Sequence, residues 1–195
     1  MLEQRIQQQF FESADLQYQA AESLARPIAL AVAAVEACLT SGGRVLVAGA
    51  GHGSGLAPLL VQLLVHRFER ERPGLGALLL GGAAAMGANP EADGPALLVR
   101  QLETLAQPAD LLLLIDPLGQ VPAMLAAAGS AQAQGLSVVA LTGLDTALAA
   151  VLGDTDVLVA VPHQRAARVL EVQLLVLHCL CDAIDLQLLG EQDMA

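Results

Sequence analysis

Residues 2–24 contain no Gly or Pro, and Leu2, Ile6, Phe10 and Ala14 recur every four positions. That period predicts an amphipathic helix. Pro27 has no N–H to give, so the helix is expected to end or restart after Arg26, with a second, Ala-rich helix from about 28 to 40. Ser41-Gly42-Gly43 closes that second helix. Beyond it the period changes. Arg44–Ala48 is a short apolar run bounded by glycines, and Ala77–Leu80, Asp110–Ile115, Leu136–Leu141 and Asp156–Val161 are four more. Runs that are apolar on both faces belong to buried parallel strands. Helical stretches separate them: from the glycine-rich loop Gly49–Gly55 to about Glu71, over about 95–106, from about Gln120 to Gln134, and from about Gln164 to Leu189. Residues 81–94 read as a long, mobile loop.

Repeated βα units imply right-handed crossovers and helices on both faces of one sheet. The expected fold is α/β: a three-layer α/β/α sandwich on a five-stranded parallel sheet, preceded by two N-terminal helices. No repeat or linker divides the chain, so residues 1–195 are read as one domain, with a helical pair over 1–41 and a βα core over 42–195.

Composition narrows the function. The chain is 55% hydrophobic and 15% charged, with a mean hydropathy of +0.57. Intrinsic disorder is excluded, and extensive burial between subunits is expected. With three Phe, one Tyr and no Trp, the core must be Leu, Ala and Val, and a stacking platform for single-stranded nucleic acid is not expected. Twenty acids against nine bases give a net charge of −11, which provides no basic face for a phosphate backbone. All nine bases are Arg; the missing Lys excludes a Walker-type loop and Schiff-base chemistry. The start, MLEQRIQQQFF, is too polar for a signal peptide, and no uninterrupted apolar run approaches the ~18 residues of a membrane span. A cytoplasmic protein follows, with Cys38, Cys179 and Cys181 as buried reduced thiols.

Ligands of an open parallel sheet bind beyond the carboxyl ends of its strands. After the first strand, Gly49, Gly51, His52, Gly53 and Ser54 form a loop that either cradles an anion or is simply a tight turn. Its spacing is not the dinucleotide G-x-G-x-x-G, because Ser54 stands at the last glycine. After the third strand come Asp116, Gly119 and Gln120; after the fourth, Thr142-Gly143 and Asp145; after the second, Asn89, Glu91 and Asp93. Acids outnumber hydroxyls at this rim, which is poor equipment for a phosphate. The histidines show no metal-ligand spacing. His178 reads as a core or interface residue, and His52 as a candidate ligand contact. Arg67, Arg70 and Arg72, and Arg165 with Arg168, are read as ion-pair partners of the neighbouring acids, within or between subunits.

The stretches Arg67–Pro73, Val139–Gly143 with Asp145, and Ala167–Glu171 leading into His178–Asp185 resemble the sugar isomerase (SIS) domain family. The branch they resemble holds the phosphoheptose isomerases and the DnaA initiator-associating proteins, and the likeness spans nearly the whole chain. It implies a flavodoxin-like fold. The family's phosphate loop is Ser-Thr-x-Gly-Asn-Ser, whereas this chain has Asp116-Pro117-Leu118-Gly119-Gln120-Val121. A carboxylate ~5 Å from a phosphate at an effective dielectric of ~20 repels it by about 3 kcal/mol per charge. The isomerases' metal-binding His, catalytic Glu and ligand Gln fall at Leu59, Leu63 and Leu170, and only His178 coincides with a family active-site residue. The resemblance therefore implies a non-catalytic SIS protein without a metal: a homotetrameric scaffold for the replication initiator DnaA, with Leu188 and Leu189 as a partner contact or helix-end packing. Two alternatives remain. One is a phosphoheptose isomerase acting on sedoheptulose 7-phosphate, the only reading that calls for zinc. The other is a SIS module that senses a sugar.

Overall fold

The computed structural model describes residues 1–81 and 90–191. Five parallel strands form one sheet in the order β2-β1-β3-β4-β5: β1 Val45–Gly49, β2 Ala77–Leu79, β3 Leu111–Asp116, β4 Ser137–Thr142 and β5 Val157–Ala160. The α/β sandwich expected from the alternating runs is the observed architecture. Val45 pairs with Ala77 on one side and Leu111 on the other, so the central strands are flanked on both edges. Their alternation sorts the core into two layers. Val45, Val47, Leu113, Ile115 and Leu141 face one side of the sheet, while Leu46, Ala48, Leu112, Leu114 and Ala140 face the other. The first layer packs on α1 (Leu2–Thr40), α2 (Leu56–Val65) and α5 (Ala166–Leu189); the second packs on α3 (Pro90–Leu105) and α4 (Pro122–Ala133).

Three boundaries differ from the sequence reading. The expected N-terminal pair is one helix of 39 residues with Pro27 inside it. Leu16, Ala20 and Leu24 before the proline and Ala31, Val32 and Val35 after it are buried in the same core. That shared burial outweighs the ~3 kcal/mol that an interior proline costs a helix. An 18-residue window of α1 has a mean hydropathy of 1.5, so by length and composition it could cross a membrane, against the expectation of no such segment. Arg26 and Glu36 interrupt its apolar run, and 28% of that window is buried within the protein.

Helix α2 stops at Val65 rather than Glu71 because other groups take its last carbonyls. Arg72 donates from Nη2 to Leu63 O at 2.9 Å and from Nη1 to Leu64 O at 2.8 Å, and the Leu75 N–H also reaches Leu64 O. Helix α3 begins at Pro90 rather than 95, which places Glu91 and Asp93 on a helix instead of a loop. Residues 82–89 of the expected loop, Asn89 included, lie outside the described residues.

Candidate functional site at the carboxyl edge of the sheet

The strand order reverses at β1, so the crevice between the ends of β1 and β3 is where a ligand would enter such a sheet. The first loop enters a 3-10 turn over Gly51–Gly55. Its Ala50 N–H donates to Ile115 O at 2.9 Å, and Ser54 Oγ donates to Gly51 O at 2.8 Å. His52 is exposed, whereas Gly53 is buried beneath Pro117. A Cβ at Gly53 would stand 2.6 Å from Ile115 O and 2.9 Å from the proline ring, so no other residue fits there. The two loops that would hold a ligand between them touch.

Asp116 does not face the crevice as a free charge, as the sequence reading held. It is 2% exposed and turned back into its own loop. Its Oδ1 accepts the Leu118 N–H at 3.2 Å and its Oδ2 accepts the Val121 N–H at 3.0 Å, just before α4. The carboxylate therefore consumes backbone donors that an incoming anion would need. The neighbouring loops are tied in as well. Gly119, at φ 63°, offers its carbonyl to the Thr146 hydroxyl and the Ala147 N–H, and a Cβ there would collide with Thr146 Oγ1. Gln120 donates to Asp145 O and Gln164 to Asp145 Oδ2, each at 2.8 Å, which holds Asp145 at φ 59°. The loops after β3, β4 and β5 thus satisfy one another. Of the predicted rim residues, Gly119 and Gln120 belong to this network, Asp116 closes its own loop, Gly49, Gly51, Gly53 and Ser54 lie in the first loop, and His52 is exposed.

Leu59 and Leu63 lie one turn apart on α2, and they and Leu170 of α5 are half-buried against the same core. No side chain there can ligate a metal or move a proton, so these residues do not fit a zinc ion. Among the described residues, no three His, Cys, Asp or Glu side chains converge on a metal position. His178 is half-buried against Phe68, with ring centroids 5.4 Å apart.

Three of the arginines pair with acids of the chain, Arg67 with Glu71, Arg165 with Glu12, and Arg168 with Glu171 at 2.5 Å, whereas Arg70, against expectation, donates to the Asp185 and Gly190 carbonyls near the end of α5. Arg72 reaches much farther, to Asp185 at 2.5 Å, and both side chains are 1% exposed. That pair escaped the sequence reading because its members are 113 positions apart. Gln173 was missed too. It is fully buried with both amide atoms unpaired, and its place one turn from Val169 and Leu177 on α5 was the available signal. Cys38 and Cys181 are buried, and burial pushes their thiols up to about 11 and about 12. Cys179 is exposed, contrary to expectation, because it shares the outward face of α5 with Leu175. Leu188 and Leu189 end α5 as an exposed pair.

Residues 9–143 match the family model described as the SIS domain. A phosphoheptose isomerase of Methylibium petroleiphilum is 47% identical over 100% of this chain and 98% of its own length. The DnaA initiator-associating protein DiaA of Photorhabdus laumondii is 36% identical over 97% of this chain and 98% of its own. A solved phosphoheptose isomerase from Francisella tularensis superposes with a TM-score of 0.89 at 33% identity, covering 95% of this chain and 98% of the other. A sheet in the order 2-1-3-4-5, a proline-capped crevice at its switch point and full-length likeness to these relatives lead to one conclusion: the chain belongs to the SIS-domain family.

Proposed function

We propose that this chain is a non-catalytic SIS-domain protein, a cytoplasmic homo-oligomeric scaffold, a tetramer, that binds the replication initiator DnaA. The observation that carries the reading is the set Leu59, Leu63 and Leu170, three apolar side chains packed against the core. Aldose–ketose interconversion needs a proton acceptor and a proton donor about the reacting carbons, and His178 alone cannot be both. The inward turn of Asp116 supports the same reading, since it leaves the Leu118 and Val121 amides occupied. A symmetric assembly would present several initiator sites and gain avidity without catalysis. The initiator partner rests on the likeness to the Photorhabdus relative, with Leu188 and Leu189 as its contact.

The competing reading is a phosphoheptose isomerase, favoured by the name of the relative at 47% identity. Purified protein incubated with sedoheptulose 7-phosphate, with and without added zinc, separates the two. No product above the buffer background is expected. Turnover that disappears in His178→Ala would establish the isomerase instead. Immobilised protein should retain DnaA, and Leu188→Ala with Leu189→Ala should weaken that retention at least tenfold. A sugar that raises Tm without being converted would point to a sensing module.

A further inference from the structure

The sequence of α5 does little to secure its own carboxyl end. The last carbonyls of a helix have no partner within it, and that end carries a partial negative charge which cations relieve. The last turn of α5 holds no basic residue, and Asp182, Asp185 and Glu191 add negative charge around it. Gly190 follows at φ 75°, its N–H bonded to Leu186 O at 2.9 Å. Left to itself such a turn frays. It is also the turn that carries Leu186, Leu188 and Leu189, which are 41%, 36% and 39% exposed.

The missing cation comes from 115 positions away. Residues 66–76, between α2 and β2, form neither helix nor strand and lie as a strap against α5. Arg70 of this strap donates from Nη1 to Gly190 O at 2.9 Å and to Asp185 O at 3.3 Å. One guanidinium nitrogen thus holds two carbonyls that bracket the last turn. The strap is itself anchored on both sides of Arg70. Phe68 lies against His178, and Arg72 is buried between Asp185 and the last carbonyls of α2. Arg70 therefore caps α5 from a segment fixed to the body rather than from the helix end it restrains.

We propose, resting on the initiator reading above, that Arg70 is the positioning residue of the partner contact. By capping α5 from the strap it holds Leu188 and Leu189 in one arrangement before the initiator arrives. Side chains ordered in advance lose less freedom on docking, so the contact is tighter than a frayed turn could make it. Arg70 acts through the carbonyls it holds and does not itself touch the partner.

Two measurements test this. Hydrogen exchange at the amides from Leu186 to Gly190 reads the order of the turn with no partner present. Retention of DnaA by immobilised protein reads the contact. Wild type is compared with three variants. Arg70→Ala removes the cation and both hydrogen bonds, whereas Arg70→Lys keeps the cation without the planar fork. Gly190→Ala leaves Arg70 in place but opposes the left-handed backbone at 190. A Cβ there meets nothing within 4 Å, so its effect passes through the backbone alone.

Arg70→Ala is expected to speed exchange at these amides by about tenfold or more and to weaken retention by a similar factor. Arg70→Lys should bring both back to within roughly threefold of wild type. Gly190→Ala should move both in the same direction as Arg70→Ala, by less, and it carries the comparison should Arg70→Ala fail to fold. If wild type and the folded variants retain DnaA equally, Arg70 has no positioning role and the initiator reading stands. Retention lost with exchange unchanged also overturns the inference, because Arg70 would then touch the partner directly. If wild type retains no DnaA, the initiator reading fails and the inference falls with it.

Discussion

Asp110 and Asp116 stand at opposite ends of β3, and each buries its carboxylate by accepting hydrogen bonds from loops. Asp110 accepts the Arg44 guanidinium at 2.7 Å together with the N–H groups of Arg44 and Gln107. Burial alone would push its carboxyl up, but these donors outweigh it and hold the group below the usual carboxylate range. The unfolded value is about 4. A folded pKa below that gives stability that is complete above about pH 5 and is lost as pH falls through the folded value. Asp110→Asn should therefore lower the urea midpoint at pH 7, and the gap to wild type should narrow steadily from pH 5 to pH 2. A gap that does not change with pH would contradict the assignment. Asp116→Ala would orphan the Leu118 and Val121 amides, at roughly 1–3 kcal/mol each when buried. A loss of about 2–4 kcal/mol is expected from chemical denaturation, with a smaller loss for Asp116→Asn, which keeps one acceptor. A loss below about 0.5 kcal/mol would mean that the loop does not depend on this carboxylate. That Asp116 sits after a strand could be read from residue order. That it turns inward could not, because the amides it binds take their positions only when α4 packs.

Among the elements, the strands were the most legible. Val45, Leu112 and Val139 belong to runs apolar on both faces, and only a sheet covered on both sides satisfies such runs. Helix ends were less so. Pro27 marks a stop by local rules, yet α1 continues because Leu24 and Ala31 share one core. Pro27→Ala should restore a hydrogen bond to Ser23 O and raise Tm, with a gain of about 1–3 kcal/mol. An unchanged or lower Tm would show that a bend at this proline contributes to the packing. The end of α2 depends on Arg72, whose guanidinium holds the helix carbonyls on one side and Asp185 on the other. Removing one member of a buried ion pair costs about 3–5 kcal/mol, while removing both leaves no orphaned charge. Arg72→Met and Asp185→Leu should each be strongly destabilising, and the double variant clearly less so than the sum. Additivity would mean that the two side chains do not act as a pair.

At the scale of the whole molecule, the same packing that builds the core sets its thiol chemistry. Burial pushes up the pKa values of all three thiols, but Cys38 and Cys181 lie in the core whereas Cys179 is exposed on α5. In urea all three thiols should react with a chromogenic disulfide at pH 8. In the native protein Cys179 should react faster than Cys38 and Cys181, and rapid reaction of Cys38 would indicate that α1 opens readily from the sheet. The apolar periods of residues 44–189 determined the α/β class, the parallel sheet and its five strands by themselves, because burial on both faces leaves a local signature. The apolar character of Leu59, Leu63 and Leu170 was also local, since the three are apolar in any conformation. Tertiary structure alone decided that α1 is one helix, that Arg72 meets Asp185, that Asp116 closes its own loop and that three aromatics remain uncovered. Each of these depends on surfaces distant in the chain, and no window of neighbouring residues records which of them will meet.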